Sequence, residues 1–190
     1  MKKIMTRLLV ATTFVSILFS FSSCDKLKSQ VHLPDVFAKS KDIEFDIPPT
    51  AVGTQYQNAD VSFDVNALLA ANNTSGYTLS ASNVKSATVS KVSVDITSTV
   101  STSNNFANFV AGGLAIYSNA APTQVNVAQV QNNPDVYSTH LDFTETGTTD
   151  ISGLLKGSTI TYLFGYTLRR PTTVTLHVVL HVEYDIQLSL

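Results

Sequence analysis

The 190-residue sequence contains no tryptophan and a single cysteine, Cys24. One cysteine excludes a disulfide within the chain, whatever the redox state of its compartment. The absence of tryptophan weakens a carbohydrate-binding platform, because such sites favour large exposed aromatic faces. Tyr56, Tyr77 and Tyr117 remain as residues that could supply such a face.

Positive charge is also scarce. From Ile43 to the end there are five basic residues and eleven acidic ones, which gives a formal net charge of −6. An acidic domain without a basic stripe argues against nucleic acid or anionic lipid as its partner. Ser, Thr, Asn and Val are abundant, a composition more typical of an extracytoplasmic β protein than of a helical enzyme.

The first residues have the pattern of an export signal. Lys2, Lys3 and Arg7 form a basic segment, and an uncharged, mostly apolar run follows from Leu8 to Phe21. These fourteen residues are too few to span a hydrocarbon core of ~30 Å, so the pattern predicts a signal peptide and not a membrane helix.

The end of this segment, Phe21-Ser22-Ser23-Cys24, resembles the lipobox of bacterial lipoproteins. In that motif an apolar residue and two small residues precede a cysteine that is acylated and becomes the mature N-terminus. Ser22, Ser23 and Cys24 match the motif, and Phe21 departs from the usual leucine. The resemblance implies cleavage between Ser23 and Cys24, and a stable anchor of diacylglycerol and palmitate type on Cys24. It covers the first 24 residues, and no family is recognised for the rest.

The resemblance also bears on location. Asp25, directly after the cysteine, is similar to an inner-membrane retention signal in some lineages, whereas others use charged residues there for surface export. We expect a lipid-anchored envelope protein at the outer membrane or cell surface rather than the inner membrane. The predicted organisation is a signal peptide over 1–23, the lipidated cysteine and a flexible tether over 24–42, and one domain over 43–190.

The strongest structural pattern is the stretch from Thr173 to Ser189. Its alternate residues are apolar, and those between them are polar except Val179. This period of two predicts a strand with one buried and one solvated face. The apolar set is Val174, Leu176, Val178, Leu180, Val182, Tyr184, Ile186 and Leu188. Because a strand of about fifteen residues would be ~50 Å long, we expect it to bend between two sheets or to overhang the domain.

Eight or nine short strands at regular spacing, with one-turn helices between them, predict an all-β fold. The expected architecture is an antiparallel two-sheet β-sandwich, Ig-like or jelly-roll-like, with a small β-barrel as the alternative. The alternation from Ile160 to Leu168 predicts a strand that forms a hairpin with the terminal strand, through a turn at Arg169 to Thr172.

Several local features complete this prediction. A strand is expected over Ile43 to Ile47, another through Val61, Phe63 and Val65, and a third from Tyr77. Asn66 is expected to cap a helical turn. Phe106, Phe109 and Val110 are spaced for a helical turn ended by Gly112-Gly113. The break in parity between Val89 and Val92 predicts a bulge. Asp150 is expected to cap a turn that buries Ile151, Leu154 and Leu155, and Gly157 to end it.

His177 and His181 have the spacing of a zinc-binding pair on a helix. In a strand, four residues span about 13 Å, which is too far for two ligands of one zinc ion. They are therefore predicted to be solvent-facing strand residues. His140, on the polar side of its own strand, and His32, in the tether, are not expected to complete a site. The sequence predicts no metal and no cofactor.

Two groups of acidic residues are candidates for metal binding or acid–base catalysis. The loop from Thr144 to Asp150, near Asp142, carries oxygen ligands but lacks the register of a dedicated calcium loop. Asp60 and Asp64 share a strand face, where solvated surface charge is the better interpretation. No G-x-S-x-G elbow is present.

The sequence therefore predicts a non-enzymatic lipoprotein that binds a partner, an envelope protein or a glycan, and is held to the membrane by acyl chains on Cys24. The ligand and its binding residues cannot be read from the sequence. The alternative is a structural or adhesive subunit of a surface assembly that exchanges its terminal strand, and an envelope enzyme is the third hypothesis.

Overall fold

The computed structural model of the protein describes residues 35–189, apart from residues 41, 74, 75, 99 and 148. In this part of the chain there are nine strands and one α-helix, α1 (Val65–Asn72). The strands are β1 (Val36–Lys39), β2 (Ile43–Ile47), β3 (Gly53–Ser62), β4 (Val84–Ile96), β5 (Phe109–Ser118), β6 (Val125–Val130), β7 (His140–Glu145), β8 (Thr159–Leu168) and β9 (Leu176–Leu188). Single 3-10 turns lie at Ala81–Asn83, Phe106–Asn108 and Leu154–Lys156. Among the described residues, no helix has the length and apolar character needed to cross a membrane.

The strand pairs are nested. β5 pairs with β6, β4 with β7, β3 with β8, and β2 with β9, all antiparallel. The strands form one continuous nine-stranded sheet in the order β1, β9, β4, β7, β6, β5, β8, β3, with β2 also on β9. We call its two halves sheet A (β1 and β2 on β9, then β4 and β7) and sheet B (β3, β8, β5, β6). A long hairpin wound into two sheets in this way is a jelly roll, so the predicted all-β sandwich is confirmed.

The two sheets join along one edge. Strand β7 takes part in both sheets. Its residues 140–143 pair with β4, and its last residues, Thr144 and Glu145, pair with Gln129 and Ala128 of β6. At the opposite edge lie β3 and the short strands β1 and β2. The inner faces of the sheets meet in one apolar core, where Phe45 of β2 contacts Phe164 of β8 with ring centroids 5.9 Å apart.

The alternation predicted for the terminal strand is confirmed. Leu176, Val178, Leu180, Val182, Tyr184, Ile186 and Leu188 are all buried. Their burial contributes roughly 10–20 kcal/mol as an upper bound, at ~1.5–3 kcal/mol each. Val174 belongs to the same sequence pattern, but it precedes the strand and is 43% exposed.

The expected bend or overhang of this strand is wrong. β9 stays in sheet A, where β4, which is equally long, pairs with it from Val178 to Leu188. On its other side β2 pairs with the first half and β1 with the second half. The two short strands, placed end to end, thus pair with one long strand, and no part of Leu176–Leu188 extends beyond the sheet.

The predicted β8–β9 hairpin is also wrong. β8 lies between β3 and β5 in sheet B, whereas β9 lies in sheet A. The connection between them crosses one end of the sandwich, held by the Asn108 side-chain amide, which donates to the Pro171 carbonyl at 3.0 Å, and by the Thr173 N–H, which donates to Asn104 Oδ1 at 2.7 Å. In this topology β8 and β9 are consecutive in the chain but lie in different sheets. They face each other across the core and therefore do not pair.

The first sheet begins before the predicted domain boundary. β1 (Val36–Lys39) lies within the segment predicted to be a tether, and Val36 and Ala38 are buried in the core. β1 pairs with β9 from Val36 opposite Ile186 to Lys39 opposite Glu183. Strand β2 (Ile43–Ile47) has its predicted bounds.

The region after β3 differs from its prediction. β3 ends at Ser62, so Phe63 and Val65 are not strand residues. The helix cap is Asp64, whose Oδ1 accepts from the N–H groups of Asn66 and Ala67 at 2.9 and 3.1 Å. The side chain of Asn66 instead accepts from the N–H of Ala81, so the predicted Asn66 cap is wrong. The strand expected from Tyr77 is not formed.

Gly112-Gly113 does not end a helix. The turn at Phe106–Asn108 is present, but it leads directly into β5, which runs through both glycines. A Cβ at residue 112 would lie 3.1 Å from the ring of Phe143, so the glycine allows that ring to pack against the sheet. The predicted bulge near Val89 is confirmed by the register shift between Val89 and Lys91.

Candidate functional site

The residues predicted for lipidation and signal cleavage, Ser23 and Cys24, lie outside the described residues, as does His32. The structure therefore leaves the predicted anchor as a prediction.

The interpretation of His177 and His181 as outward strand residues agrees with the structure. Both lie on the solvated face of β9, and each contacts carboxylates: His177 contacts Asp46, and His181 contacts Asp42 and Asp95. No group of three or more His, Cys, Asp or Glu side chains suited to a metal ion occurs within the described part of the chain.

The other acidic candidates have structural roles. Asp150 accepts from the backbone N–H of Ala87 and of Ser152, both at 2.9 Å, and so joins its loop to β4. Burial opposes ionisation of Asp150, but these hydrogen bonds outweigh it and lower the pKa of the carboxyl group. Ile151, Leu154 and Leu155 are buried and Gly157 ends the turn, as predicted. The N-cap of the Leu154–Lys156 turn is Gly153, without a side-chain hydrogen bond, so the predicted Asp150 cap of that turn is wrong.

Asp60 and Asp64 do not form an acid–base pair. Asp60, in β3, accepts from the hydroxyl of Thr161 at 2.6 Å, whereas Asp64 caps α1. Each carboxylate therefore has its own structural hydrogen-bond partner.

A row of titratable side chains on the outer face of sheet A is not apparent from the sequence. It consists of Asp42, His181, Asp95, His140 and Asp142, and we call it the histidine–aspartate row. Its members come from β4, β7, β9 and the residue before β2. A hydrogen bond to Asp95 raises the pKa of His140, against the opposing effect of burial.

A groove on the outer face of sheet B is the best candidate binding site. It has a volume of about 260 Å³ and crosses all four strands of the sheet. The strand register builds it from three cross-strand rows, Thr54–Thr167–Ala111, Tyr56–Gly165–Gly113–Gln129 and Leu163–Ala115–Asn126. We call it the sheet-B groove.

Tyr56 forms an aromatic platform in this groove. It lies on β3 directly opposite Gly165, and its ring atoms Cε1 and Cδ1 are 3.0 and 3.1 Å from the position that a Cβ of residue 165 would take. Only a glycine at 165 lets the ring lie this close to the sheet. The side chain is nevertheless 65% exposed, so the ring presents apolar surface to solvent.

The floor and wall of the groove are small and polar. Gly165 lies opposite Gly113, and Gly113 lies opposite Gln129, so two glycines separate Tyr56 from Gln129. This row spans three interstrand spacings, or roughly 14 Å. Amide side chains line the far wall: Gln124, Asn126, Gln129 and Gln131. None of the lining residues carries a charge.

A second cavity of about 340 Å³ lies between α1, the end of β3 and β1. Its apolar lining includes Val61, Phe63 and Leu68. Its charged members are already engaged, since Lys39 pairs with Glu183 at 3.0 Å and Asp64 caps α1. It is therefore a weaker candidate than the sheet-B groove.

No known protein family and no curated protein matches the chain. Among solved structures, it is similar to that of infectious bursal disease virus Gx strain, with a TM-score of 0.40 and 11% identity, over 82% of this chain and 34% of that chain. It is also similar to Desmodium yellow mottle tymovirus, with a TM-score of 0.26 and 14% identity, over 84% of this chain and 91% of that one. The chain thus spans about a third of the length of the first of these.

Proposed function

We propose that the protein is a lipid-anchored lipoprotein of the cell envelope, that it is a non-enzymatic binding module, and that the sheet-B groove binds a neutral carbohydrate. The single observation that carries the ligand class is the exposed ring of Tyr56 held over Gly165 in an uncharged groove. The anchor rests on the resemblance of Phe21-Ser22-Ser23-Cys24 to a lipobox.

The groove has the chemistry that a sugar needs. A sugar ring has one or more flat patches of C–H groups, which pack on the apolar face of an aromatic ring. Its hydroxyl groups both donate and accept hydrogen bonds, and so do the amides of Asn126 and Gln129 and the hydroxyls of Thr54 and Thr167. The absence of charge among the lining residues, and the net charge of −6 from Ile43 onward, disfavour phosphorylated or otherwise anionic ligands.

The dimensions favour part of a polymer over an enclosed small molecule. Pockets that enclose drug-sized ligands measure about 300–1,000 Å³. The sheet-B groove is smaller and open along the sheet, which suits a few units of a longer glycan. An envelope protein held near a membrane by its N-terminus would present such a face to neighbouring polysaccharide.

A binding role is favoured over the other two hypotheses. The lining of the groove contains no carboxylate, imidazole, thiol or ammonium group that would serve as an acid, base or nucleophile of an enzyme. Strand exchange depended on an overhanging, unpaired end of the terminal strand, whereas β9 is paired on both sides within sheet A.

The test is to measure the affinity of the purified protein for a panel of neutral and anionic oligosaccharides, with two tyrosine variants. Tyr56→Ala removes the platform, and we expect at least about a tenfold loss of affinity, ~1.4 kcal/mol, for the neutral ligand that binds. Tyr137→Ala is the matched control, since this tyrosine is 52% exposed and lies outside the groove. Equal effects of the two variants, or preference for anionic ligands, would contradict the proposal.

A further inference from the structure

The two histidines of the histidine–aspartate row each lie between two carboxylates. His140 Nδ1 is 2.7 Å from Asp95 Oδ1, and its Nε2 is 3.1 Å from Asp142 Oδ1. His181 Nδ1 is 3.1 Å from Asp42 Oδ1, and its Nε2 is 3.3 Å from Asp95 Oδ2. Asp95 is therefore shared, one oxygen to each imidazole.

This arrangement requires a particular protonation state. A neutral imidazole has one N–H donor and one nitrogen that only accepts, whereas an ionised carboxylate only accepts. A neutral ring between two carboxylates would therefore place one nitrogen lone pair against a carboxylate oxygen. Both contacts of each ring are favourable only when the ring is an imidazolium with two N–H donors.

We propose that the histidine–aspartate row is a protonation-dependent connection between the strands of sheet A, which we call the clasp. When both histidines are protonated, the row connects Asp42, at the junction of β1 and β2, across β9 and β4 to Asp142 on β7. When a ring loses its proton, one of its two carboxylate contacts is lost and the clasp opens.

The contacts that open are those at the ends of the row. The side chains of Asp42 and Asp142 are 70% and 65% exposed, so each carboxylate regains water at little cost. The side chain of Asp95 is 39% exposed and holds the centre. Opening therefore frees Asp42 and loosens the β1–β2 junction, which lies between two strands that pair with β9.

The neighbouring charges of sheet A do not replace the clasp. Lys39 is paired with Glu183, and Lys91 lies opposite Glu183 in the strand register. His177 has its own partner in Asp46. Two further ionisable groups on this side of the adjoining strands are acidic, Glu44 on β2 and Asp185 on β9.

The first test is an NMR titration of the imidazole nitrogens in the purified protein and three variants. Both nitrogens of His140 should carry protons at pH 5.5. Asp95→Asn should lower the titration midpoint of His140 by about half a pH unit. His181→Gln should raise it, since a competing cation is removed from Asp95. Asp46→Asn, which removes the partner of His177 alone, is the matched control and should leave it unchanged.

The second test measures the β1–β2 junction directly. The Ser40 N–H donates to the Val182 carbonyl at 2.8 Å, beside the clasp. After correction for intrinsic exchange, its protection should fall about two- to fivefold between pH 5.5 and pH 8, and this fall should be absent in Asp42→Asn. The proposal would be overturned if the protection of the Ser40 N–H did not depend on pH. It would also be overturned if neither Asp95→Asn nor His181→Gln changed the titration midpoint of His140.

Discussion

The hydroxyl oxygen of Tyr162 in β8 lies 2.5 Å from the hydroxyl oxygen of Tyr184 in β9, which is a hydrogen bond between the two sheets at the centre of the core. Both side chains are fully buried. Burial raises the pKa of Tyr162 to about 12 and the pKa of Tyr184 well above its ordinary value, so both remain neutral phenols. Each hydroxyl is the hydrogen-bond partner of the other in an otherwise apolar interface.

This pair predicts non-additive effects of hydroxyl removal. Tyr162→Phe or Tyr184→Phe leaves one buried hydroxyl without a partner, so each single variant should lower the free energy of unfolding by ~1–3 kcal/mol. The double variant should lose less than the sum of the two, because it leaves no orphan hydroxyl. Urea denaturation of the four proteins measures this cycle, and additive losses would show that the two hydroxyls do not interact.

Stability should depend on pH through His140. Its pKa is raised in the folded state, so its contribution is fully present below the unfolded value of about 6.5 and is lost as the pH rises through the raised pKa. Because its side chain is 47% exposed, the contribution should be below ~1 kcal/mol. Denaturation at pH 5.5 and 8.5 should show a larger fall in wild type than in His140→Gln. Equal falls would rule out this linkage.

The Asp64 cap of α1 can be tested against its nearest substitute. Asp64→Ala removes the acceptor for the N–H groups of Asn66 and Ala67, and it should cost ~1 kcal/mol of unfolding free energy. Asp64→Asn keeps a capping oxygen and should retain most of that stability. If both variants lose the same amount in chemical denaturation, the charge or another contact, and not the cap, is responsible.

Cys24→Ser tests the predicted anchor. The lipobox resemblance implies that acyl chains on this cysteine hold the protein on the membrane, and no second cysteine is present to replace it. We expect the variant to move from the membrane fraction to the aqueous fraction and to lose incorporation of labelled fatty acid. Unchanged partitioning of an unlabelled protein would refute lipid anchoring.

The parts of the fold that the sequence predicts are those set by local patterning. Alternation of apolar and polar residues located β2, β8 and β9 because each strand has one buried face. The same patterning indicates only the end of β3, at Val61, because its first residues, Gly53 to Gln57, are largely exposed on both faces of an edge strand. The order of strands was missed as well, since nested pairing joins β2 to β9 across most of the chain.

The candidate sites depend on this long-range order. Tyr56 was noted in the sequence as one of three tyrosines, but only the strand register places it over Gly165 and opposite a wall of amides. Likewise His140 and His181 were each predicted to be surface residues, which is correct. Their shared partner Asp95 could be found only once β7, β4 and β9 were known to be neighbours.

The most direct test of the proposed function is a map of NMR chemical-shift changes as the protein is titrated with neutral oligosaccharides. We expect the largest changes on the outer face of sheet B, at Tyr56, Gly113, Gly165 and the side-chain amides of Asn126 and Gln129. Changes centred on the cavity beside α1 or on the outer face of sheet A would contradict it, as would the absence of any change with every oligosaccharide at millimolar concentration.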